Sequence, residues 1–230
     1  MTHTESDPTS TATDDPADPL ESERQAVAAL YEFCAGVLAD PPGKLAVEGI
    51  VTAGVPDPEV MVNERLRRGF ELLERWRTDV DDPEEAVCEL ERTHTRLFVG
   101  PRPRLQIHES YYAGDFLGRP LARVQGTYAG LGIAPADDLR EEADHAAVEL
   151  SALALLTRRE VEDPDAKRLF LREHGWWISE FAADVEEVTD CRFYRGIAAI
   201  ADGLVQFDAN RFEVAFESPA VPQSTANVRS

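Results

Sequence analysis

Residues 164–207 read PDAKRLFLREHGWWISEFAADVEEVTDCRFYRGIAAIADGLVQF, and this stretch decides the fold. Its apolar side chains return at intervals of three and four: Leu169, Phe170, Trp177, Phe181 and Val185, then Phe193, Ile197, Ile200, Leu204 and Phe207. That period suits one face of an α-helix turning every 3.6 residues and not the alternation by two of a strand. The stretch predicts helices at about 164 to 187 and 191 to 208, with Pro164 in a first turn where its missing N–H is no loss.

The same period extends outward. Helices are expected at about 120 to 131 and 138 to 161, and from Pro83 to Phe98 with Val87, Leu90, His94 and Leu97 on one stripe, ended by Gly100-Pro101. A helix after Pro58 would turn Leu66, Phe70, Leu73 and Trp76 inward, and one from Ser22 would bury Val27, Leu30, Cys34 and Val37 before Pro41-Pro42-Gly43. Ser22 with Gln25, Asp82 with Glu85 and Asp138 with Glu141 have capping-box spacing. No β-branched alternating run and no repeat of fixed period appears. The expectation is an all-α, single-domain compact helical bundle over residues 21–212, between polar, disordered tails at 1–20 and 213–230.

Composition limits the function. The net charge is -21, with 44 Asp and Glu against 23 Lys and Arg, and Lys44 and Lys167 are the only lysines. Such a field repels nucleic acid and anionic membrane surfaces. Dense carboxylates stay hydrated where salt screens their repulsion, so the chain reads as a halophilic acidic protein that needs salt to fold. The start of the chain has no basic region followed by an apolar one, and no segment reaches the roughly 20 apolar residues of a membrane span. A cytoplasmic location is expected, without stable membrane insertion. Cys34, Cys88 and Cys191 are far apart and form no CxxC pair, so they read as packing residues.

No nucleophile elbow, phosphate-binding loop or dinucleotide fingerprint is present. The one enzyme-like pattern is a pair of Glu-x-x-His spacings, Glu91 with His94 and Glu142 with His145. On helices these would suit a di-iron or other metal-dependent enzyme, the alternative reading of the chain. Asp144, His145 and Glu149 are expected close together on one helix. Residues 101–120, PRPRLQIHESYYAGDFLGRP, are too irregular for a long helix and too aromatic for a plain linker, which marks them as a functional loop.

The run Thr93 to Pro101, THTRLFVGP, followed by His108-Glu109-Ser110-Tyr111-Tyr112, resembles the (E/D)Y-x-x-LF-x-GP and PYESVY segments of TorD/DmsD-like redox-enzyme maturation chaperones. Glu142-Ala143-Asp144-His145 with Glu149-Leu150 is similar to that family's E-x-DH-x-x-x-EL segment, and Phe170, His174, Trp177, Phe181 and Phe193-Tyr194 look like its later helices. His94 stands where the family usually has Tyr, and Ile107-His108 replaces Pro-Tyr.

The resemblance implies a non-catalytic chaperone without a cofactor. Its partners would be the twin-arginine signal peptide and the catalytic subunit of a molybdopterin oxidoreductase of the DMSO, TMAO or nitrate reductase type, held until the cofactor is inserted. It would be a monomer or a domain-swapped dimer. An arginine pair followed by an apolar stretch calls for an apolar groove bordered by carboxylates. Glu109, Ser110, Glu142, Asp144, His145 and Glu149 are the expected polar contacts, and Tyr111, Tyr112, Phe116 and Trp177 the expected apolar ones. A competing role for Asp144 and His145 is to tie a helix to the loop of residues 101–112.

Overall fold

The computed structural model describes residues 18–134, 136 and 139–216. Ten α-helices follow in order: α1 (Pro19–Ala39), α2 (Lys44–Ala53), α3 (Glu64–Thr78), α4 (Pro83–His94), α5 (Glu109–Tyr112), α6 (Arg119–Gly130), α7 (Ala146–Arg159), α8 (Pro164–His174), α9 (Ile178–Val188) and α10 (Arg192–Arg211). Among the described residues there is no strand, only an isolated antiparallel bridge between His108 and His145. The all-α expectation holds. No helix of the described residues is long and apolar enough to cross a membrane.

The apolar stripes meet in one core, in which Tyr31, Phe70, Phe170, Trp177, Phe181, Phe193 and Tyr194 are buried. Helix α10 packs chiefly on α3, and α1 on α7. The α3–α10 crossing is close because it is lined by glycine: a Cβ on Gly69 would fall 2.9 Å from the Gly196 carbonyl oxygen and 2.5 Å from Ile200 Cγ1. A second device is polar. Lys167 on α8 is buried 2.8 Å from Asp208 of α10 and 3.2 Å from Glu160, and the Tyr31 hydroxyl of α1 donates to Asp208 at 2.7 Å.

Several helix ends depart from expectation. Helix α1 begins at Pro19, with Asp18 accepting from the Leu20 N–H, so Ser22 and Gln25 lie inside the helix and do not cap it. Asp82 does cap α4, accepting from the Glu84 N–H at 2.9 Å. The continuation of α4 to Phe98 opens into a π-turn, Thr95–Val99, closed by the Gly100 N–H on the Thr95 carbonyl. This wider turn lets Leu97 and Phe98 both face the core. Helix α2 was not expected, and neither was the short α5 within the irregular loop.

Two long helices expected from periodicity are broken. The segment expected to run from 138 to 161 becomes helical only at Ala146, since residues 144–146 pair with the loop instead: the Glu109 N–H donates to the Asp144 carbonyl at 2.9 Å and the Ala146 N–H to the Ile107 carbonyl at 3.0 Å. Asp138 lies outside the described residues. The 164–187 helix stops at His174 and restarts at Ile178. This break swings His174 and Trp177 toward the same buried polar centre.

Candidate binding site

That centre is built around Glu109, the first residue of α5, which is fully buried. One carboxylate oxygen lies 2.7 Å from His174 Nδ1, and the other accepts from Arg123 of α6 at 3.0 Å. His174 Nε2 lies 2.9 Å from the Thr127 hydroxyl, one turn along α6 from Arg123. Glu149 of α7 accepts from the Trp177 indole N–H at 2.9 Å. Burial, reinforced by the charge of Glu109, pushes the Glu149 carboxyl well above the usual carboxylate range.

Asp144 binds this centre to the loop. Its carbonyl takes the Glu109 N–H and its side chain takes the Ser110 N–H at 3.1 Å. The Ser110 hydroxyl in turn accepts from the Leu117 N–H at 2.9 Å, holding Leu117 at φ 54, a conformation that costs a branched residue about 1–2 kcal/mol. Strain retained in an aromatic loop is a common mark of function.

His145 caps α7. Its Nδ1 accepts from the Ala147 N–H at 3.1 Å, so the proton of the neutral ring sits on Nε2, 3.7 Å from Glu141. Burial, with His108 beside it, pulls His145 down to about 3, so the contact with Glu141 is between a neutral ring and a carboxylate and is not an ion pair. The His108 ring packs edge-on between those of His145 at 5.2 Å and Phe116 at 5.5 Å.

On the far side of this segment lies an open cavity of about 820 Å³. Its walls come from α1 (Ala35, Gly36, Ala39), α6 (Gln125, Tyr128, Ala129), α7 (Ala147, Val148, Ser151, Leu155) and the stretch between α6 and α7 (Ile133, Leu139 and residues 141–143). Ile133, Leu139 and Leu155 supply apolar surface, and small residues leave the space. Glu141 and Glu142, both exposed, stand at the edge.

The structure brings the side chains of nine of the ten expected residues into one connected unit, Tyr111 joining through the Tyr112 ring at 5.4 Å. Glu109, Ser110, Asp144, His145, Glu149 and Trp177 are buried and hydrogen-bonded to one another or to neighbouring backbone. Tyr112 is half-buried, its ring tilted against that of Trp177 at 5.3 Å and its hydroxyl donating to Asp184 at 3.0 Å, and Phe116 joins through His108. Tyr111 and Phe116 are half exposed, and Glu142 alone of the ten lines the cavity. The expectation that Glu109, Asp144 and Glu149 face outward meets a different arrangement. The chain's own Arg123 and His174 occupy Glu109, Trp177 occupies Glu149, and loop-tying is the contact that Asp144 makes. Arg123, Thr127 and Asp184 escaped sequence reading because a lone polar residue on a helix carries no sign of its distant partner. The cavity had one legible trace, small residues at helical spacing, Ala35 with Ala39 and Ala143 with Ala147.

The two Glu-x-x-His pairs do not assemble in the way the metal-enzyme alternative requires. Residues Glu142 and His145 precede α7, Glu142 is exposed while His145 is turned into its cap, and His94 lies 3.3 Å from the Leu38 carbonyl. Asp144, His145 and Glu149 likewise do not share one helix. Among the described residues no group of three or more His, Cys, Asp or Glu side chains could hold a metal ion.

A family model described as nitrate reductase delta subunit covers residues 63–183, which include α3 to α8, the loop and the buried centre. No curated protein matches the chain.

Proposed function

The chain belongs to the nitrate reductase delta subunit family, a family of molybdoenzyme maturation chaperones, and from that premise we propose that it binds the twin-arginine leader of a molybdopterin oxidoreductase catalytic subunit in the cytoplasm. It catalyses no reaction; it captures the leader and releases it when assembly is complete. The carrying observation is the 820 Å³ apolar cavity with Glu141 and Glu142 at its edge. An apolar leader helix would lie against Ile133, Leu139, Val148 and Leu155, and the arginine pair would meet the two exposed carboxylates.

On this reading the ten residues divide by reach. Glu142 meets the arginines, while Tyr111 and Phe116 offer exposed aromatic surface to flanking residues. Glu109, Ser110, Tyr112, Asp144, His145, Glu149 and Trp177 act at one remove, fixing the start of α7 and the segment that carries Glu141 and Glu142. They are positioning residues.

Calorimetry with a synthetic peptide of Arg-Arg followed by about fifteen apolar residues tests this. Ser151→Trp, which fills the cavity from an exposed position, and the pair Glu141→Lys with Glu142→Lys should each weaken binding at least about tenfold, equivalent to roughly 1.4 kcal/mol. Helical circular dichroism should be unchanged. Equal affinity of both variants and the wild type would place the leader elsewhere, and wild-type affinity for a Lys-Lys peptide would remove the assigned role of the carboxylate pair.

A further inference from the structure

In a chain so rich in carboxylates nearly every arginine finds one. Among the described residues six arginines form no ion pair: Arg92, Arg96, Arg102, Arg104, Arg140 and Arg159. The first four line a single open hollow of about 690 Å³, with Glu91 its only carboxylate. Arg92 ends α4, Arg96 lies in the π-turn, and Arg102 and Arg104 come from the strap behind Gly100-Pro101. The strap is fixed by the Arg104 and Leu105 N–H groups on the Arg96 and Leu97 carbonyls.

Arg92 also complements the helix end, where carbonyls point outward. Arg96, in the turn that continues α4, shares that reason, but Arg102 and Arg104 do not. Four guanidinium groups around one hollow repel one another, yet the fold brings them together with a single carboxylate, Glu91, among them. We infer that this hollow is a docking surface for a carboxylate-rich segment of a partner polypeptide.

The chemistry favours that occupant. Guanidinium forks match carboxylate or phosphate geometry. A nucleotide base would find no aromatic side chain to stack on, because none lines the hollow. A nucleic-acid backbone would meet the repulsion of the -21 chain over its whole length, whereas a short acidic segment meets only the local positive surface. Exposed ion pairs are weak singly, so the segment must present several carboxylates at once. The hollow shares no residue with the cavity assigned to the leader, so this inference does not rest on that reading.

Fluorescence anisotropy with labelled hexaglutamate, at about 0.15 M salt where the Debye length is about 8 Å, is the test on the full chain. The peptide should bind the wild type, lose at least about tenfold on Arg96→Glu with Arg102→Glu, and change less than about twofold on Arg140→Glu with Arg159→Glu, the unpaired arginines outside the hollow. Circular dichroism checks that both variants fold. Absence of binding, or equal loss in both variants, overturns the inference. Binding of pyrophosphate or ATP in place of the peptide would assign a phosphate ligand instead, and a dimer that dissociates only in Arg96→Glu with Arg102→Glu would assign a second copy; either result refutes the acidic partner.

Discussion

His174 and Glu109 meet at 2.7 Å in a site closed to solvent, joining α8 to α5 across 65 residues of sequence. The pair also draws in Arg123 and Thr127 of α6. It is the junction through which the loop, α6 and the break after α8 hold one another.

Replacing His174 by Phe leaves the Glu109 carboxylate buried with only Arg123, which is half exposed, as partner. Stranding one member of a buried pair typically costs about 3–5 kcal/mol. Glu109→Gln keeps an acceptor toward His174 and should cost less, about 1–2 kcal/mol. Urea unfolding measures both. A loss below about 1 kcal/mol in His174→Phe would show that the junction contributes little to stability.

The His145 cap predicts an acid-sensitive fold. The unfolded chain protonates this ring below about pH 6.5, whereas the folded ring, pulled down to about 3, does not. Its contribution is therefore complete above pH 6.5 and drains away as pH falls toward 3, by up to about 1.4 kcal/mol per unit. Burial lowers His108 as well, in the same sense, while Glu149 and Asp208, whose carboxyls burial pushes up, act with the opposite sign. The comparison that isolates His145 is His145→Asn, which keeps a capping oxygen and removes the titration. Its unfolding free energy should fall less steeply than the wild type's between pH 6.5 and 4; parallel curves would contradict the assignment.

Lys167 and Asp208 supply a third expectation. Lys167→Met should destabilise by about 3–5 kcal/mol, because Asp208 and Glu160 lose a buried cation. Adding Asp208→Leu should restore much of the loss, since an apolar pair of similar volume often matches a buried ion pair. Chemical denaturation of the single and double variants decides it, and a double variant weaker than the single one would go against this account.

The charge of -21 predicts a stability that depends on salt. Screening shortens the Debye length from about 30 Å at 0.01 M to about 3 Å at 1 M, which removes most repulsion between exposed carboxylates. The melting temperature should rise from dilute buffer to molar KCl. Equal melting in both would show that the acidic surface places no such demand on the fold.

The sequence by itself determined the helical class and most of the core. Phe170, Trp177, Phe181, Phe193, Ile197 and Leu204 were legible as inward-facing from their spacing alone, and all are buried. The caps at Asp82 and the stop before Gly100-Pro101 were legible too, because both depend on residues a few positions apart. The family resemblance rested on motifs of the same local kind, and the matching family model covers all of them except Phe193-Tyr194.

Only the tertiary structure decided where helices break and which way the acids point. Residues 138–145 have a helical composition, yet Asp144 and Ala146 give their backbone to Glu109 and Ile107 of the loop, and a long-range pairing that satisfies buried groups outweighs a local propensity worth tenths of a kcal/mol per residue. The same holds for His174 and Trp177, whose helix stops between them so that both reach buried carboxyls. Glu109, Asp144 and Glu149 look in sequence like any exposed acids. Burial and a distant cation or N–H made them framework, and left Glu141 and Glu142 exposed at the cavity's edge.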